Sequence, residues 1–328
     1  MRLASTPTWL RAGILALCML LSVAPASAAW PDRPITMVVP YPPGGAADII
    51  GRIVTRHLAL QLPGSTWVVE NKAGAGTVIG AAAVAQAAPD GYTLLFSGNT
   101  TYTLNPALKS NLPYEPLKSF ESLGLLGGNP LVLIVHPSLE AKSVQELVAL
   151  AKRDPGKLSY ASFGVGTTSH FAGEMFKTMA GVDIVHVPYK GSAPAMQDLM
   201  AGQIKIAFDT SIASAPQIAA GKVRALALTS TYPLAKLPGV PTLSQAGVAG
   251  FDLTAWIGVV APRGLPDEVR RKLVKAMADA MAQPALRDEL QKAGMEPFYE
   301  PPSAYDARVE KELPAMRQLV HRARIVVD

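Results

Sequence analysis

Two glycine-rich turns decide the fold of this chain. PYPPGGAAD at residues 40–48 follows the strand-like ITMVV, and NKAGAGTVIG at residues 71–80 follows WVVE. Glycine lets backbone N–H groups approach a ligand closely, and helix N-termini attract anions, so both turns are suited to hold an anion without side-chain charge. A third such turn, SFGVGTTSH, lies at residues 162–170.

Strand and helix patterns alternate around these turns. Short apolar runs such as YTLLF, LVLIV, VDIVHV and QIKIAF alternate with helical patterns that begin near Ala46, Thr77, Ser143, Thr167, Ala193 and Ala213. Alternation of this kind predicts mostly parallel sheets with helices on both faces. The sequence therefore predicts an α/β protein.

Two apolar segments interrupt the alternation and predict crossings between two lobes. GGNPLVLIVHP at residues 127–137 and FDLTAWIGVVAP at residues 251–262 each join one series of strand and helix units to the next. The chain length also suits two lobes of about 100 to 150 residues. We predict lobe 1 at residues 29–127 plus 252–328, including the helices after Pro266, and lobe 2 at residues 128–251.

Residues 1–28 are predicted to be a cleaved secretory signal peptide. Arg2 and Arg11 precede an apolar run at residues 12–23, which ends in the small-residue sequence APASAA. The run is shorter than the roughly 20 apolar residues of a membrane-spanning helix. The one cysteine, Cys18, lies in this run after Leu17, so we expect neither lipidation nor a disulfide or thiolate metal site in the mature chain. These features predict the periplasm.

Charge and motif spacing argue against several other functions. The formal charge of +5 falls to +3 without Arg2 and Arg11, and no run of five or more basic residues is present, so nucleic-acid binding is not expected. Neither G-x-G turn is followed by a strand that ends in the ribose-binding acid of dinucleotide sites, and no P-loop motif occurs. Ser162 lacks the first glycine of a nucleophile elbow, and the five histidines show no paired-ligand spacing.

The remaining interpretation is binding of a carboxylate. Several helix N-termini converging on one carboxylate offset much of its charge, because each end carries roughly half a positive charge. Hydroxyl and amide side chains at the turns can orient it: Ser97, Asn99, Thr100, Ser162, Thr167 and Thr168. The alternative is that these residues are only helix caps.

The ordered set of motifs resembles a known family. PYPPGGAAD, VVENKAGAGTVIGA, DGYTLLF, the Asn105-Pro106 pair, YASFGVGTTSHFAGEMF, HVPYKGSAPAMQDLMAGQI, LPGVPT and TAWIGVVAPRGLP occur in this order over the whole predicted mature chain. Together they are similar to the extracytoplasmic receptors of the tripartite tricarboxylate transporter family, the Bug or TctC-type solute-binding proteins.

This resemblance implies a two-lobed, Venus-flytrap fold of the periplasmic-binding-protein kind, with a small organic carboxylate between the lobes. It also implies delivery to a membrane permease, no catalysis, no cofactor and no metal, and we expect a monomer. The implied site residues of lobe 1 are Pro42, Gly44, Gly45, Asp48, Ala75, Gly76, Ser97 and Asn99. Those of lobe 2 are Ser162, Gly166, Thr167, Thr168, His170, Tyr189, Lys190 and Asp209.

Some of these residues have a second interpretation. Asp48 suits a first-turn acid that stabilises its helix, and His170 suits a hydrogen bond within its lobe. Tyr189 and Lys190 either line the cleft or cover the sheet edge and reach solvent. Asp209 ends a strand at the edge where α/β sheets bind ligands, where it would accept from a hydroxyl or ammonium group but repel a second carboxylate.

Two other functions stay open at this point. An exported sensor would use the same cleft and differ only in its signalling partner. An exported enzyme acting on a carboxylate would need a nucleophile, metal or cofactor pattern that the sequence does not show. The identity of the carboxylate also stays open among amino acids, dicarboxylates, citrate-like acids and aromatic acids.

Overall fold

The structure is a computed structural model that describes residues 30–323 and residue 325. The predicted signal peptide lies outside the described residues. In the described part, strands and helices alternate through most of the chain, in agreement with the sequence pattern.

The first lobe begins with the two glycine turns, each between a strand and a helix. β1 (Ile35–Val39) leads into α1 (Ala46–Gln61), and β2 (Trp67–Asn71) leads through a short 3₁₀ turn (Ala75–Thr77) into α2 (Val78–Ala85). β3 (Thr93–Gly98) follows, and then a π-helical turn (Thr100–Leu104) and α3 (Asn105–Leu108). β1 pairs in parallel with both β2 and β3, so the three strands end at the same edge of the sheet.

The second lobe repeats this arrangement. After β4 (Phe120–Val135) come α4 (Val144–Arg153), β5 (Ser159–Ser162), α5 (Thr168–Ala180), β6 (Val185–Pro188), α6 (Ser192–Met200), β7 (Ile206–Thr210), α7 (Ser211–Ala219) and β8 (Arg224–Leu228). β5 pairs in parallel with β6 and β7. The third glycine turn joins β5 to α5 and thus lies at the carboxyl end of this sheet.

The chain then returns to the first lobe. β9 (Thr254–Pro262) is followed by α8 (Asp267–Ala282), α9 (Pro284–Lys292), β10 (Glu296–Glu300) and α10 (Pro302–Ala323). The strand order is β2-β1-β3-β9-β4-β10 in lobe 1 and β6-β5-β7-β4-β8 in lobe 2. β4 is therefore shared by the two sheets.

β4 changes partners where the two lobes join. Pro130 is the last residue of β4 opposite β9, where it pairs with Thr254, and Leu131 is the first opposite β7, where it pairs with Thr210. This change supports the predicted division of the chain near residue 127, which stays a prediction. β4 begins at Phe120, well before the predicted apolar run, and β10 was not predicted.

The C-terminal helix contacts both lobes. Tyr305 and Val309 in its first half pack in a lobe 1 core cluster with Tyr102 and Trp256. Met316 and Leu319 in its second half belong to the core cluster that surrounds the strands of lobe 2. The prediction placed the whole helix in lobe 1, but the apolar residues of its last turns contact the core of lobe 2.

Candidate functional site

The first glycine turn is held by Asp48. Its carboxylate accepts a hydrogen bond from the Gly44 N–H at 2.9 Å and another from the Asn71 side chain at 3.0 Å, and it pairs with Arg52 at 2.9 Å. Burial opposes ionisation of this carboxyl, but the Arg52, Gly44 and Asn71 contacts outweigh burial and lower the pKa of Asp48. Because Asp48 is only 4% exposed, it stabilises the turn from inside, while Pro42, Gly44 and Gly45 stay exposed.

The helix after this turn starts with free backbone donors. Gly45 precedes α1 and has no side chain to cap it, and the first intrahelical hydrogen bond runs from the Ile49 N–H to the Gly45 carbonyl. The N–H groups of Ala46 and Ala47 thus have no intrahelical partner. They form an electropositive helix end beside an exposed turn.

The second glycine turn has an unusual backbone. Gly74, Ala75, Gly76 and Thr77 all have positive φ, at 137°, 48°, 65° and 83°. Two of the four are not glycine, so the turn stores conformational strain. Ala75 and Gly76 are exposed and Thr77 is buried, so the strained backbone places Ala75 and Gly76 at the surface.

Asn105 and Lys109 hold this strained turn. Asn105 donates to the Gly76 carbonyl at 2.6 Å and to the Thr77 hydroxyl at 3.2 Å, and Lys109 donates to the Ala75 carbonyl at 3.1 Å. With the Ala75 and Gly76 carbonyls already bound by these side chains, the backbone N–H groups of the turn are the donors left for a ligand. The N–H groups of the first turn of α2 lie directly after it.

A chain of hydroxyl groups joins the second turn to the end of β3. Ser97 Oγ lies 2.5 Å from Thr101 Oγ1, and Thr101 donates to Thr77 Oγ1 at 2.7 Å. Burial raises the pKa of Tyr41, and hydrogen bonds with Ser97 and Thr100 oppose this. Ser97 is 1% exposed, so it lies within a network that fixes the turns of lobe 1 relative to one another.

The two lobes meet at Asn99 and Thr168. Thr168 Oγ1 donates to Asn99 Oδ1 at 3.3 Å and lies 3.4 Å from Thr100 Oγ1. The Asn99 amide also donates to the Thr254 carbonyl, at the start of the crossing strand β9. The end of β3 therefore contacts the start of α5, which places the third glycine turn opposite the turns of lobe 1.

The third turn is capped by its own side chains. Thr167 Oγ1 donates to the Gly164 carbonyl at 2.7 Å and accepts from the His170 N–H at 3.4 Å. Ser162 Oγ accepts from the Gly164 N–H at 3.1 Å, and the Gly166 N–H donates to His170 Nδ1 at 3.2 Å. Ser162 and His170 are buried and Thr167 is half-buried, so the exposed part of this turn is mainly backbone and Val165.

The predicted residues that end β6 and β7 have different surroundings. Tyr189 donates to Asp198 at 2.8 Å, and burial together with this contact raises the pKa of Tyr189 to about 12. Lys190 is exposed. Asp209 is 1% exposed and accepts from Ser192 Oγ at 2.8 Å and from the Thr210 N–H at 2.6 Å.

Burial raises the pKa of Asp209 to about 7, and the bonds from Ser192 and Thr210 only partly oppose it. The carboxylate of Asp209 thus ties the start of α6 to the end of β7. Lys190 is the only lysine or arginine among the sixteen predicted site residues.

Four residues that the sequence analysis did not single out as site residues complete this network: Thr77, Thr101, Asn105 and His186. Asn105-Pro106 was noted as a motif without a role. The position of Thr77 directly after a G-x-G turn was the available signal for its place at the start of α2, where its side chain makes no capping hydrogen bond. His186 ends up beside Ser162 through strand pairing, and no sequence pattern indicates that contact.

Among the described residues, no group of three or more histidine, cysteine, aspartate or glutamate side chains is arranged to hold a metal ion. A search of the described helices finds none with the length and hydropathy required to cross a membrane. The site therefore consists of backbone turns, hydroxyl groups, amides and a few charged side chains.

Family comparison agrees with this geometry. The model of the TctC family, described as the tripartite tricarboxylate transporter family receptor, matches residues 50–323. The chain belongs to this family. This TctC-family receptor is 36% identical over 281 residues to Protein BugT of Bordetella pertussis, which covers 85% of this chain and 86% of BugT.

Three solved structures are among those similar to this TctC-family receptor. R. palustris Rpa4515 with adipate is 33% identical with a TM-score of 0.82, covering 90% of this chain and 99% of that one. The periplasmic binding protein BugD is 36% identical with a TM-score of 0.78, at 90% and 99% coverage. MatC from Rhodopseudomonas palustris with bound malate is 31% identical with a TM-score of 0.77, at 89% and 100% coverage. The predicted two-lobed fold and family are confirmed.

Proposed function

We propose that this receptor captures a small organic carboxylate between its lobes and delivers it to the membrane permease of a tripartite tricarboxylate-type transporter. The observation that carries the proposal is a set of hydrogen bonds that connect three helix N-termini. Asn71, at the end of β2, binds Asp48 in the first turn of α1, and Thr101, after β3, binds Thr77 directly before α2. Thr168, the first residue of α5, binds Asn99, which follows β3. Adipate and malate, seen with two relatives, are both carboxylic acids.

Backbone donors supply most of the attraction in this proposal. N–H groups at helix starts bind a carboxylate through charge-assisted hydrogen bonds, which are about twice as strong as neutral ones. Micromolar affinity requires about 8 kcal/mol, which several such bonds in a desolvated cleft can provide. Closure follows because the ligand contacts both lobes only when they are together.

The site residues divide into two groups in this proposal. We assign direct ligand contact to the exposed turn residues Pro42, Gly44, Gly45, Ala75, Gly76 and Lys190, to the half-buried Thr167, and to Asn99 and Thr168 at the lobe contact. We assign turn positioning to residues whose bonds lie inside their own lobe, which are buried apart from the half-buried Tyr189: Asp48, Ser97, Ser162, Gly166, His170, Tyr189 and Asp209.

The receptor acts in the periplasm as a monomer and performs no reaction in this proposal. Support for the periplasm comes from the predicted signal peptide and from family membership, and support for a binding rather than a catalytic role comes from family membership. Mass spectrometry of the secreted protein should find an N-terminus near residue 29. The same instrument should recover adipate unchanged after incubation, and conversion at enzyme-like rates would contradict the proposal.

A thermal-shift and calorimetry panel of organic acids tests the ligand class. At 100 times Kd, a carboxylate ligand stabilises the folded state by about 2.7 kcal/mol and raises the melting temperature by roughly 5 °C. Adipate and malate are the first probes, and 1,6-hexanediol is the neutral control matched to adipate. A panel in which no carboxylate raises the melting temperature, or in which the diol acts like adipate, shows the proposal to be wrong.

A further inference from the structure

Two histidines lie stacked beneath the third glycine turn. The rings of His170, in α5, and His186, in β6, have centroids 4.0 Å apart and planes 14° apart. His186 stacks in turn on Tyr160 of β5 at 5.0 Å. Three secondary-structure elements therefore contribute to one ring stack.

Each histidine binds one end of the turn. His170 Nδ1 accepts the Gly166 N–H at 3.2 Å, and His186 Nε2 lies 2.6 Å from Ser162 Oγ. Ser162 starts the turn and Gly166 lies near its end, where φ is 79°. Because an N–H can donate only to an unprotonated ring nitrogen, the turn as built requires His170 to be neutral.

The pair is enclosed mainly on the side of His170. His170 is 5% exposed and Tyr160 is fully buried, whereas His186 is half-buried. Tyr160 donates to Glu174 at 2.8 Å, and Glu174 pairs with Lys177 at 3.0 Å. A Cβ on Gly173 would lie 2.0 Å from the Tyr160 ring, so the helix approaches the stack as closely as glycine permits.

These neighbours keep both rings neutral. Burial lowers the pKa of His170 to about 4, and Lys177 acts in the same direction. Burial also lowers the pKa of His186 to about 4, where His170 and Lys177 add to the effect and Glu174 opposes it. Both histidines are thus uncharged at neutral pH, as the hydrogen bond from Gly166 requires.

We propose that the His170–His186 stack is a positioning pair that fixes the third glycine turn and makes it open in acid. Protonation of His170 turns Nδ1 from an acceptor into a donor, so the Gly166 N–H loses its partner. Protonation of both rings also places two positive charges in a stack with 4.0 Å between centroids, which is unfavourable. The consequence for ligand release rests on the proposed function, whereas the positioning role does not.

The Gly166 amide gives a test without any ligand. In the wild-type protein we expect its ¹⁵N NMR resonance and hydrogen-exchange rate to titrate with the His170 ring near pH 4. In His170→Asn, the Asn Oδ1 takes the place of Nδ1 and does not titrate, so Gly166 should stay protected across the range. In His170→Ala, Gly166 should be unprotected at every pH.

A Gly166 resonance that is independent of pH in the wild type, or that titrates equally in His170→Asn, overturns the proposal. If His170→Ala fails to fold, the wild-type and Asn comparison still decides it. Tyr160→Phe serves as a stack control, because it keeps the ring and removes only the bonds of the hydroxyl, to Glu174 and to the His170 carbonyl.

Malate affinity then tests release. Malate itself gains protons in acid, but this affects its binding to the wild type and to His170→Asn equally. The ratio of the wild-type Kd to the His170→Asn Kd therefore reports only the effect of the change in the protein. The ratio at pH 4 should be about twice the ratio at pH 7, because half of the wild-type molecules are then not competent. A ratio that is the same at both pH values while Gly166 titrates contradicts the release role. Absence of malate binding at pH 7 bears on the proposed ligand class and leaves the Gly166 result decisive for positioning.

Discussion

The glycine turns of the two lobes are fixed by different chemistry. In lobe 1 they are held by hydroxyl groups, by Asn105 and by Asp48, whose pKa is lowered. In lobe 2 the turn is held by neutral histidines, and the neighbouring loop is held by Asp209, whose pKa is raised to about 7. The lobe 1 supports keep their charge state from neutral to mildly acidic pH, whereas in lobe 2 Asp209 titrates near pH 7 and the two histidines titrate near pH 4. The difference indicates that lobe 1 provides a constant anion site and lobe 2 provides the part that responds to conditions.

The largest expected effect concerns the backbone surface of lobe 1. Gly76→Val places a branched side chain on the exposed turn at φ 65°, where it should block the backbone donors and weaken adipate or malate binding at least about 100-fold, close to 2.7 kcal/mol. Gly64→Val is the matched control, because Gly64 also has positive φ, at 83°, with open space around it, and precedes β2 at the other end of the strand. Both variants should lose about 1 to 2 kcal/mol of stability, and equal affinities by calorimetry would contradict the backbone model.

The second comparison exchanges two buried carboxylates of the predicted site, those of Asp48 and Asp209, for amides. Asp48→Asn should lower the free energy of unfolding by about 2 kcal/mol at pH 8, because ionised Asp48 is stabilised by Arg52 and Gly44. Its contribution is present above the unfolded pKa of 3.8 and is lost as the pH falls through the lower folded pKa. Urea unfolding should therefore show the same loss in the variant at pH 8 and pH 5, and a smaller loss at about pH 3.

Asp209→Asn should behave in the opposite way. Folding raises the pKa of Asp209 to about 7, so the charged carboxylate destabilises the folded state at pH 8 and this cost disappears as the pH falls toward 3.8. The amide keeps an acceptor for the Thr210 N–H and removes the charge, so the variant should equal the wild type or exceed it by about 1 kcal/mol at pH 8. A loss at pH 8 as large as that of Asp48→Asn would remove the distinction between the lobes.

The sequence was sufficient to predict most of the fold. Apolar runs and glycine turns located β1 to β9 and most of the helices between them, because each local pattern agrees with its place in the sheet. The π-helical turn at Thr100–Leu104 and α3 were not predicted. It was insufficient for the first half of β4, where Gly124, Gly127 and Gly128 interrupt the apolar pattern at irregularities in pairing. β10 was missed because EPFYE is short and has a proline on the strand and another after it.

The candidate site was predictable only as a set of turns. The three glycine turns are contiguous motifs, so their glycines and hydroxyl residues could be identified from the sequence alone. The supports come from distant parts of the chain: Asn105 reaches Gly76 across 29 residues, and His186 reaches Ser162 across 24. Such contacts depend on strand pairing and helix packing, which no local pattern encodes.

A smaller effect is expected for the one exposed cation of the predicted site. Lys190→Ala should weaken malate binding by about three- to fivefold at low salt and less at high salt, because exposed ion pairs contribute at most about 1 kcal/mol. Lys222→Ala, an exposed lysine at the start of β8, should leave the affinity unchanged. If Lys190→Ala weakened malate binding more than Gly76→Val in calorimetry, side-chain charge rather than backbone hydrogen bonds would dominate recognition.

The smallest effect concerns the strain in the second turn, which has no counterpart in lobe 2. The positive φ values of the third turn fall on glycines, Gly164 and Gly166, whereas Ala75 adopts 48°. Ala75→Gly removes about 1 to 2 kcal/mol of strain but adds about 0.4 to 1 kcal/mol of unfolded-state entropy, so stability should rise by roughly 0.5 kcal/mol.

Ala73→Gly is the control for this change, because Ala73 lies next to the turn but outside its run of positive φ. It should lower stability by about 0.4 to 1 kcal/mol, since it brings the entropy cost without relief of strain. Urea unfolding distinguishes the two signs. If Ala75→Gly also loses stability, the turn is not strained, and the contrast between a strained turn in lobe 1 and a relaxed turn in lobe 2 is wrong.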